Sequence, residues 1–232
     1  MSAGRGVRTT AWSTMRAEAH SRVDPIVSAS RDFYALGVVG LPGTGKTTVL
    51  EVLTDSRPDL SYVGTSAFHA PGSRMAHYIH RLFVEADPRA AVPCQFEALT
   101  ERTLLQRSAD STACVDEPIE AVLAHTQALW ACGLLSDSEA GTWLTAYELA
   151  SRTLPSAASM VLLTCDSEER RRRTRVRGRL RDGSVGDGYL DAFDEALREM
   201  LQASRAHGVP TFELDTTGRS PCASAERLRL LL

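Results

Sequence analysis

The chain has 232 residues, 43% of them hydrophobic, which is enough to bury the core of one α/β domain. A formal net charge of −3 provides no overall attraction to nucleic acid. The five cysteines include no C-x-x-C pair, and no apolar run approaches the roughly 18 residues of a membrane helix. We therefore expect a cytoplasmic protein with neither nucleic-acid nor membrane partners.

Residues 1–32 form an N-terminal extension of basic character. The segment lacks the apolar stretch of a secretory signal, so we expect no export. Its composition predicts a partly disordered segment or one short helix, placed outside the main domain.

A phosphate-binding loop is the strongest local pattern in the chain. Residues 33–39 are an apolar run of strand length, residues 40–47 read GLPGTGKT, and helical apolar spacing follows over residues 48–53. Glycines let the backbone N–H groups turn toward a phosphate, and the helix N-terminus adds the positive end of its dipole. The residues that this pattern assigns to ATP are Gly40, Pro42, Gly43, Thr44, Gly45, Lys46, Thr47 and Thr48.

Lys46 is the only lysine in a chain that otherwise uses arginine. A lysine ammonium is a compact charge on a flexible stem, whereas a guanidinium is larger and planar. A glycine-rich loop around the β- and γ-phosphates therefore favours lysine at this position.

Strand-like and helix-like segments alternate after the loop, which is typical of a parallel sheet covered by helices. Strands are predicted at residues 60–65, 112–116, 159–165 and 209–215. Helices are predicted at residues 72–86, 93–109, 118–133, 136–154, 188–208 and 224–232.

Two acidic residues, Asp116 and Glu117, stand where the strand at residues 112–116 ends. A carboxylate at the carboxyl end of a strand beside the loop can hold Mg²⁺ together with Thr47. The alternative is that Asp116 only caps the helix that begins at Pro118. With the loop present, we favour the metal role for Asp116.

Residues 170–181 contain eight arginines in twelve positions. Arg173 and Arg177 are spaced to share one face of a helix, and Arg179 follows Gly178. Such arginines could close over a nucleotide and neutralise charge during phosphoryl transfer. A solvated helix face and a nucleic-acid contact are the alternative interpretations. Because lysine and arginine serve different purposes here, Lys46→Arg is predicted to impair ATP binding or turnover far more than Arg170→Lys or Arg171→Lys.

From residue 33 onward the chain resembles the deoxynucleoside kinase family, most specifically in the stretches DPRAAVPCQFEALTER and RTRVRGRLRDGSVGDGYL. The resemblance implies an α/β P-loop kinase domain over residues 33–232, with five parallel strands in the order 2-3-1-4-5 and an arginine-rich lid at about residues 167–187. It also implies ATP and Mg²⁺ as cofactors. By position, it assigns base recognition to Gln95, contact with the reacting hydroxyl to Arg102, and sugar contact to Asp182. Arg173, Arg177 and Arg179 match the lid arginines.

The chain also departs from this family at the acceptor site. The usual glutamate base after the second strand is absent from the stretch VGTSAFHAP, and Glu117 stands where the family has an arginine. We therefore hypothesise that Asp116 serves the metal and that Glu117 is the general base for the acceptor. His69 is a weaker candidate for the base.

These observations favour a kinase that phosphorylates a nucleoside or nucleoside-like molecule. A modified nucleoside of specialised metabolism is one such substrate. The alternatives are an ATPase using Asp116 and Glu117, and a nucleotide-binding module without catalysis. The helices at residues 118–133 and 136–154 could form a homodimer face, but their apolar stripe is equally consistent with core packing.

Overall fold

The computed structural model of the chain describes residues 3–23, 32–64, 70, 72–176 and 186–232. Its strands are β1 (Phe33–Tyr34), β2 (Leu36–Val39), β3 (Ser61–Val63), β4 (Ala113–Asp116), β5 (Ser156–Ala157), β6 (Met160–Thr164) and β7 (Thr211–Asp215). Its helices are α1 (Ala3–Arg22), α2 (Lys46–Ser56), α3 (Arg74–Phe83), α4 (Ala91–Arg107), α5 (Ile119–Ala131), α6 (Asp137–Ser151), α7 (Ser167–Val176), α8 (Asp187–Ala206) and α9 (Pro221–Arg229). A 3₁₀ turn, Pro88–Ala90, precedes α4.

Five parallel strands form the central sheet, in the order β3-β4-β2-β6-β7. Counted along the chain within this sheet, that is the predicted order 2-3-1-4-5, so the predicted topology is confirmed. Val38 of β2 pairs with Asp116 of β4 on one side and with Val161 of β6 on the other. The carboxyl ends of β2 and β4 are therefore adjacent, which is where ligands bind in open sheets of this kind.

The first apolar run is divided between two sheets, whereas its sequence predicted one strand over residues 33–39. Phe33–Tyr34 pairs with Ser156–Ala157 in a separate two-stranded parallel sheet, and the central sheet begins at Leu36. A continuous apolar run shows that a segment is buried but does not show where its pairing partner changes.

Side-chain alternation along the strands builds a core on each face of the sheet. On one face, Leu36 and Val38 pack with Leu50 and Leu53 of α2. On the other face, Val39 belongs to the larger cluster that also contains side chains of α4, α5, α6 and α8. The phosphate-binding loop thus leaves a strand that is buried on both faces, which makes its starting point rigid.

The N-terminal extension contains a helix of twenty residues, α1, where the sequence suggested a loose segment or a short helix. Trp12 and Ala19 are buried, and the Trp12 ring lies 5.5 Å from the ring of Trp130 in α5. His20 Nδ1 lies 2.9 Å from Glu148 Oε2 of α6. The helix therefore packs against α5 and α6. The overlooked signal is the helical spacing of the few apolar residues among many polar ones.

The apolar stripe of the helices at residues 118–133 and 136–154 includes four large side chains. Leu129, Trp130 and Leu144 are buried within the single chain, whereas Leu149 is 56% exposed. Core packing thus accounts for the first three. In the part of the chain that the structure describes, none of the helices is long and apolar enough to span a membrane.

Candidate active site

The phosphate-binding loop connects β2 to α2 through glycines in the left-handed region. Gly43 and Gly45 have φ values of 86° and 94°, which strain any residue that carries a side chain. A Cβ atom on Gly43 would lie 2.8 Å from Thr174 Oγ1 and 2.9 Å from Arg170 Cγ. Gly43 therefore provides the turn and also allows helix α7 to pack directly on the loop.

Lys46 begins α2, and its side chain folds back over the loop. Its Nζ atom donates to the carbonyl oxygens of Gly40 at 2.7 Å and Leu41 at 3.2 Å. The same atom lies 3.1 Å from Glu117 Oε1. The ammonium is thus positioned inside the loop, where its pattern predicted a phosphate contact.

Asp116 and Thr47, the two residues assigned to the metal, are in direct contact. Thr47 Oγ1 donates to Asp116 Oδ2 at 2.6 Å, and the hydroxyl of Tyr62 in β3 donates to the same oxygen at 3.3 Å. Asp116 Oδ1 is buried and has no hydrogen-bond partner among the described residues. Burial and the neighbouring Glu117 raise the pKa of Asp116, and the charge of Lys46 opposes this rise.

These atoms fit a magnesium ion better than a helix cap. Helix α5 has Pro118 at its N-cap and no side-chain cap, so Asp116 does not serve that role. The buried carboxylate oxygen without a partner and the nearby threonine hydroxyl are two hard oxygen ligands. Mg²⁺ binds such ligands together with phosphates and water. The described residues contain no cluster of three metal-binding side chains, so such an ion would depend on few protein ligands.

Glu117 links the loop to α4. Its Oε1 lies 3.1 Å from Lys46 Nζ, and its Oε2 accepts a hydrogen bond of 2.9 Å from Arg102 Nη2. The residue has a φ of 54°, which costs a non-glycine residue about 1–2 kcal/mol. Its backbone N–H still donates to Val38 O at 2.9 Å, so the chain turns immediately after the ladder ends. Backbone strain of this kind clusters at functional sites.

Helix α4 carries the two residues matched to acceptor recognition. Arg102 reaches Glu117, and its Nε and Nη1 atoms are buried without a partner in the described part of the chain. Gln95, two helical turns earlier, is also buried and accepts a hydrogen bond of 2.9 Å from Thr126 Oγ1 of α5. The structure thus brings Arg102 to the Lys46–Glu117 pair, while Gln95 lies against α5.

Helix α7 contacts the loop through Arg173, whose Nη1 atom donates to Thr44 O at 3.4 Å. Its Nη2 atom donates to Thr216 O at 2.7 Å and its Nη1 atom to Thr216 Oγ1 at 3.0 Å. Its Nε atom donates to Glu169 Oε1 at 2.8 Å. In this arrangement Arg173 ties α7 to the segment after β7. Four other candidate site residues lie outside the described residues: His69, Arg177, Arg179 and Asp182.

Arg170 and Arg171, which the sequence analysis treated alike, lie in different environments. Arg171 is exposed and pairs with Asp187 at 3.0 Å, as expected for a solvated helix face. Arg170 is only 9% exposed, because it packs against Gly43 of the loop. Periodicity shows that these arginines face different directions, but it does not show which direction meets the loop.

A cavity of about 300 Å³ opens between the loop, α7 and the segment after β7. The residues that line it include Gly45, Thr48, Arg173, Thr216, Arg219 and Pro221. Thr216 Oγ1 donates to Thr44 O at 2.9 Å and to Thr164 O at 3.0 Å, which closes one wall. Sequence reasoning missed Thr216, Arg219 and Tyr62. Their positions at the carboxyl ends of strands β7 and β3 were the available signal.

The similarity of this chain to known proteins lies in its fold. No protein-family model matches the sequence, and no match was found among curated proteins. A structure of deoxyadenosine kinase from M. mycoides with bound dCTP superposes with a TM-score of 0.71 at 13% identity, covering 85% of this chain and 97% of that one. The chain has the fold of a P-loop nucleoside kinase.

Two further solved structures share this kinase fold. The same M. mycoides enzyme with bound dATP gives a TM-score of 0.68 at 14% identity, covering 85% of this chain and 98% of that chain. Thymidylate kinase from Candida albicans gives 0.51 at 15% identity, covering 88% and 92%. The α/β fold predicted from the sequence, and the resemblance of that fold to the fold of nucleoside kinases, are thus confirmed.

Proposed function

We propose that the protein is an ATP-dependent kinase that transfers the γ-phosphate to a hydroxyl of a nucleoside or nucleoside-like molecule. The observation that carries this proposal is the position of the Glu117 carboxylate. It lies between Lys46 and Arg102, at 3.1 and 2.9 Å, and directly follows Asp116 in the chain. A carboxylate is thereby held next to the lysine that the loop pattern assigns to the β- and γ-phosphates.

The loop and its surroundings would hold the nucleotide. Backbone N–H groups and Lys46 would bind the phosphates, and the cavity bounded by Thr216 would take the remainder of ATP. Thr47 and Asp116 would hold magnesium, which supplies positive charge to the phosphate oxygens when bound. Arg177 and Arg179 are proposed to contact the transferred phosphoryl group, while Arg173 fixes α7 beside the loop.

Glu117 is the proposed general base. It would accept the proton of the acceptor hydroxyl as that oxygen attacks the γ-phosphorus, with ADP as the leaving group. Once Lys46 engages the phosphates, Arg102 remains beside the carboxylate. Its two unpartnered nitrogens can donate to the acceptor oxygen and to the transferred group.

Gln95 and Asp182 are proposed to recognise the base and the sugar of the acceptor. The two structures of the M. mycoides deoxyadenosine kinase contain bound dCTP and dATP, which supports a nucleoside-like acceptor here. The replacement of the usual arginine by Glu117 supports a modified nucleoside, such as one from specialised metabolism, over a common deoxynucleoside.

The contact between Glu117 and Lys46 also supports a second candidate, an Mg-dependent ATPase in which Glu117 orients a water molecule. One experiment separates the two functions. ADP release is measured with Mg·ATP, alone and with a pool of nucleosides, and mass spectrometry identifies the products. Acceptor-dependent release with a product heavier by one phosphate supports the kinase. Equal release without acceptor supports the ATPase, whereas ATP binding without turnover in either condition excludes the ATPase and every acceptor in the pool.

The general-base role is tested with Glu117→Gln. Loss of a general base lowers the rate by about 100- to 10,000-fold. Glu226→Gln is the matched control, because Glu226 is exposed on α9 and pairs with Arg229 of the same helix. Unchanged acceptor phosphorylation by the Glu117 variant would refute the assignment.

A further inference from the structure

Tyr62 contacts the candidate metal site, although the sequence motifs assign it no role. It lies in β3, opposite Cys114 of β4, and its hydroxyl reaches Asp116 Oδ2 at 3.3 Å. Thr47 Oγ1 donates to that same oxygen at 2.6 Å. Three elements of the fold, β3, β4 and α2, therefore meet at one carboxylate.

The hydrogen bonds at Asp116 are unevenly distributed between its two oxygens. Oδ2 accepts from Thr47 and Tyr62, whereas Oδ1 is buried and accepts from none of the described residues. Burying a carboxylate oxygen without a hydrogen-bond partner costs folding free energy, so we expect this oxygen to bind a ligand. Because Thr47 gives its only hydroxyl hydrogen to Oδ2, the lone pairs of Thr47 Oγ1 also remain available to a cation.

Gly64 provides the space in which the Tyr62 ring lies. A Cβ atom at position 64 would be 1.9 Å from the Tyr62 hydroxyl oxygen and 2.0 Å from its Cζ atom. Any other residue at 64 would therefore displace the phenol from this position. The absence of a side chain at Gly64 thus fixes the place of the Tyr62 hydroxyl, and this effect is separate from its hydrogen bond to Asp116.

We propose that Tyr62 is a positioning residue for the divalent cation: its hydroxyl occupies Asp116 Oδ2 and so leaves Oδ1 and the Thr47 oxygen as the ligand atoms. This inference rests on the proposed function, since it assumes that Asp116 binds Mg²⁺ with the nucleotide. Groups that orient a ligand in this way are worth about 10- to 100-fold in metal affinity.

The test uses Mn²⁺ in place of Mg²⁺, because Mn²⁺ binding can be followed by electron paramagnetic resonance. Mn²⁺ is titrated into the full chain with ADP, and ADP affinity is measured separately in excess EDTA. Tyr62→Phe keeps the ring and removes only the hydroxyl, so Mn²⁺ affinity should fall about 10- to 100-fold while metal-free ADP affinity stays unchanged.

Two further variants check the arrangement of the phenol. Gly64→Ala should weaken Mn²⁺ binding in the same way, and it should have no additional effect in the Tyr62→Phe background. Tyr147→Phe is the control, because it removes a phenol hydroxyl from the interior beside Trp143, away from the metal-binding pair. It should leave Mn²⁺ affinity unchanged.

Asp116→Asn separates the two ways in which the proposal can fail. If this variant loses Mn²⁺ affinity and Tyr62→Phe does not, the role of Tyr62 is wrong and the metal site stands. If Asp116→Asn also binds Mn²⁺ normally, the metal assignment itself is wrong. Equal losses of Mn²⁺ and metal-free ADP affinity in Tyr62→Phe would indicate a general disturbance and would overturn the positioning role.

Discussion

Glu120 makes the stability of the protein depend on pH. It lies in the first turn of α5, and its Oε2 atom is buried without a hydrogen-bond partner among the described residues. Burial raises the pKa of Glu120 from 4.5 to about 6, against the opposing charge of Arg16 in α1. Glu120→Gln removes the ionisation and keeps the shape of the side chain.

The sign and size of the effect follow from linkage between protonation and folding. A pKa raised in the folded state means that the folded protein binds the proton more tightly than the unfolded chain does. The stability that the folded protein has with protonated Glu120 is fully present below pH 4.5 and is lost as the pH rises through about 6. Because one pKa unit corresponds to about 1.4 kcal/mol, ionised Glu120 costs the folded protein about 2 kcal/mol above pH 6.5.

The assay is urea unfolding of the wild type and of Glu120→Gln from pH 4 to pH 7.5. The difference in unfolding free energy between the two proteins should shift by about 2 kcal/mol in favour of the variant across this range. Other titrating groups cancel in this difference. Glu226→Gln, at an exposed position, serves as the control for the loss of one carboxylate. A difference for Glu120→Gln that does not vary with pH would refute the reasoning.

Arg16 extends this test to the packing of α1. Its charge lowers the pKa of Glu120, so Arg16→Met should raise that pKa further. The pH at which stability is lost should then move upward. An unchanged profile would show that α1 does not bring Arg16 close to Glu120 in solution.

Three further predictions concern the loop and α1. Gly43→Ala should destabilise the protein by about 1–2 kcal/mol or more in urea unfolding and should weaken ADP binding, because Gly43 has a positive φ and contacts α7. Gly141→Ala is the control: a Cβ there would meet open space, so this variant should be neutral or stabilising in urea unfolding. Lys46→Arg should weaken ADP binding, measured by calorimetry, by about tenfold or more, a loss of about 1.4 kcal/mol. Arg171→Lys, at an exposed position, should leave ADP binding unchanged. Equal losses would contradict the different roles of lysine and arginine. Trp12→Ala should release α1 and speed its proteolysis without changing ADP affinity, and unchanged proteolysis would argue against the packed helix.

The glycine-rich loop and the helix that follows it could be predicted because their signals are local. The glycine turn, Lys46 and the start of α2 are neighbours in the chain, so residue type and spacing are enough to identify them. Asp116 was predicted to lie beside the loop because the carboxyl ends of parallel strands meet at one edge, a rule that needs only the strand boundaries. The strand order followed from the family resemblance and not from periodicity.

The remaining features depend on contacts between residues that are distant in the chain. Thr216 reaches Thr44 across 172 residues, and Tyr62 reaches Asp116 across 54. Whether an arginine such as Arg170 faces solvent or the loop is decided by how its helix packs, because periodicity defines faces without naming what each face meets. The sequence by itself thus determined the five strands of the central sheet and the position of the glycine-rich loop. Only the tertiary structure decided which side chains complete the site, since their positions result from packing between elements.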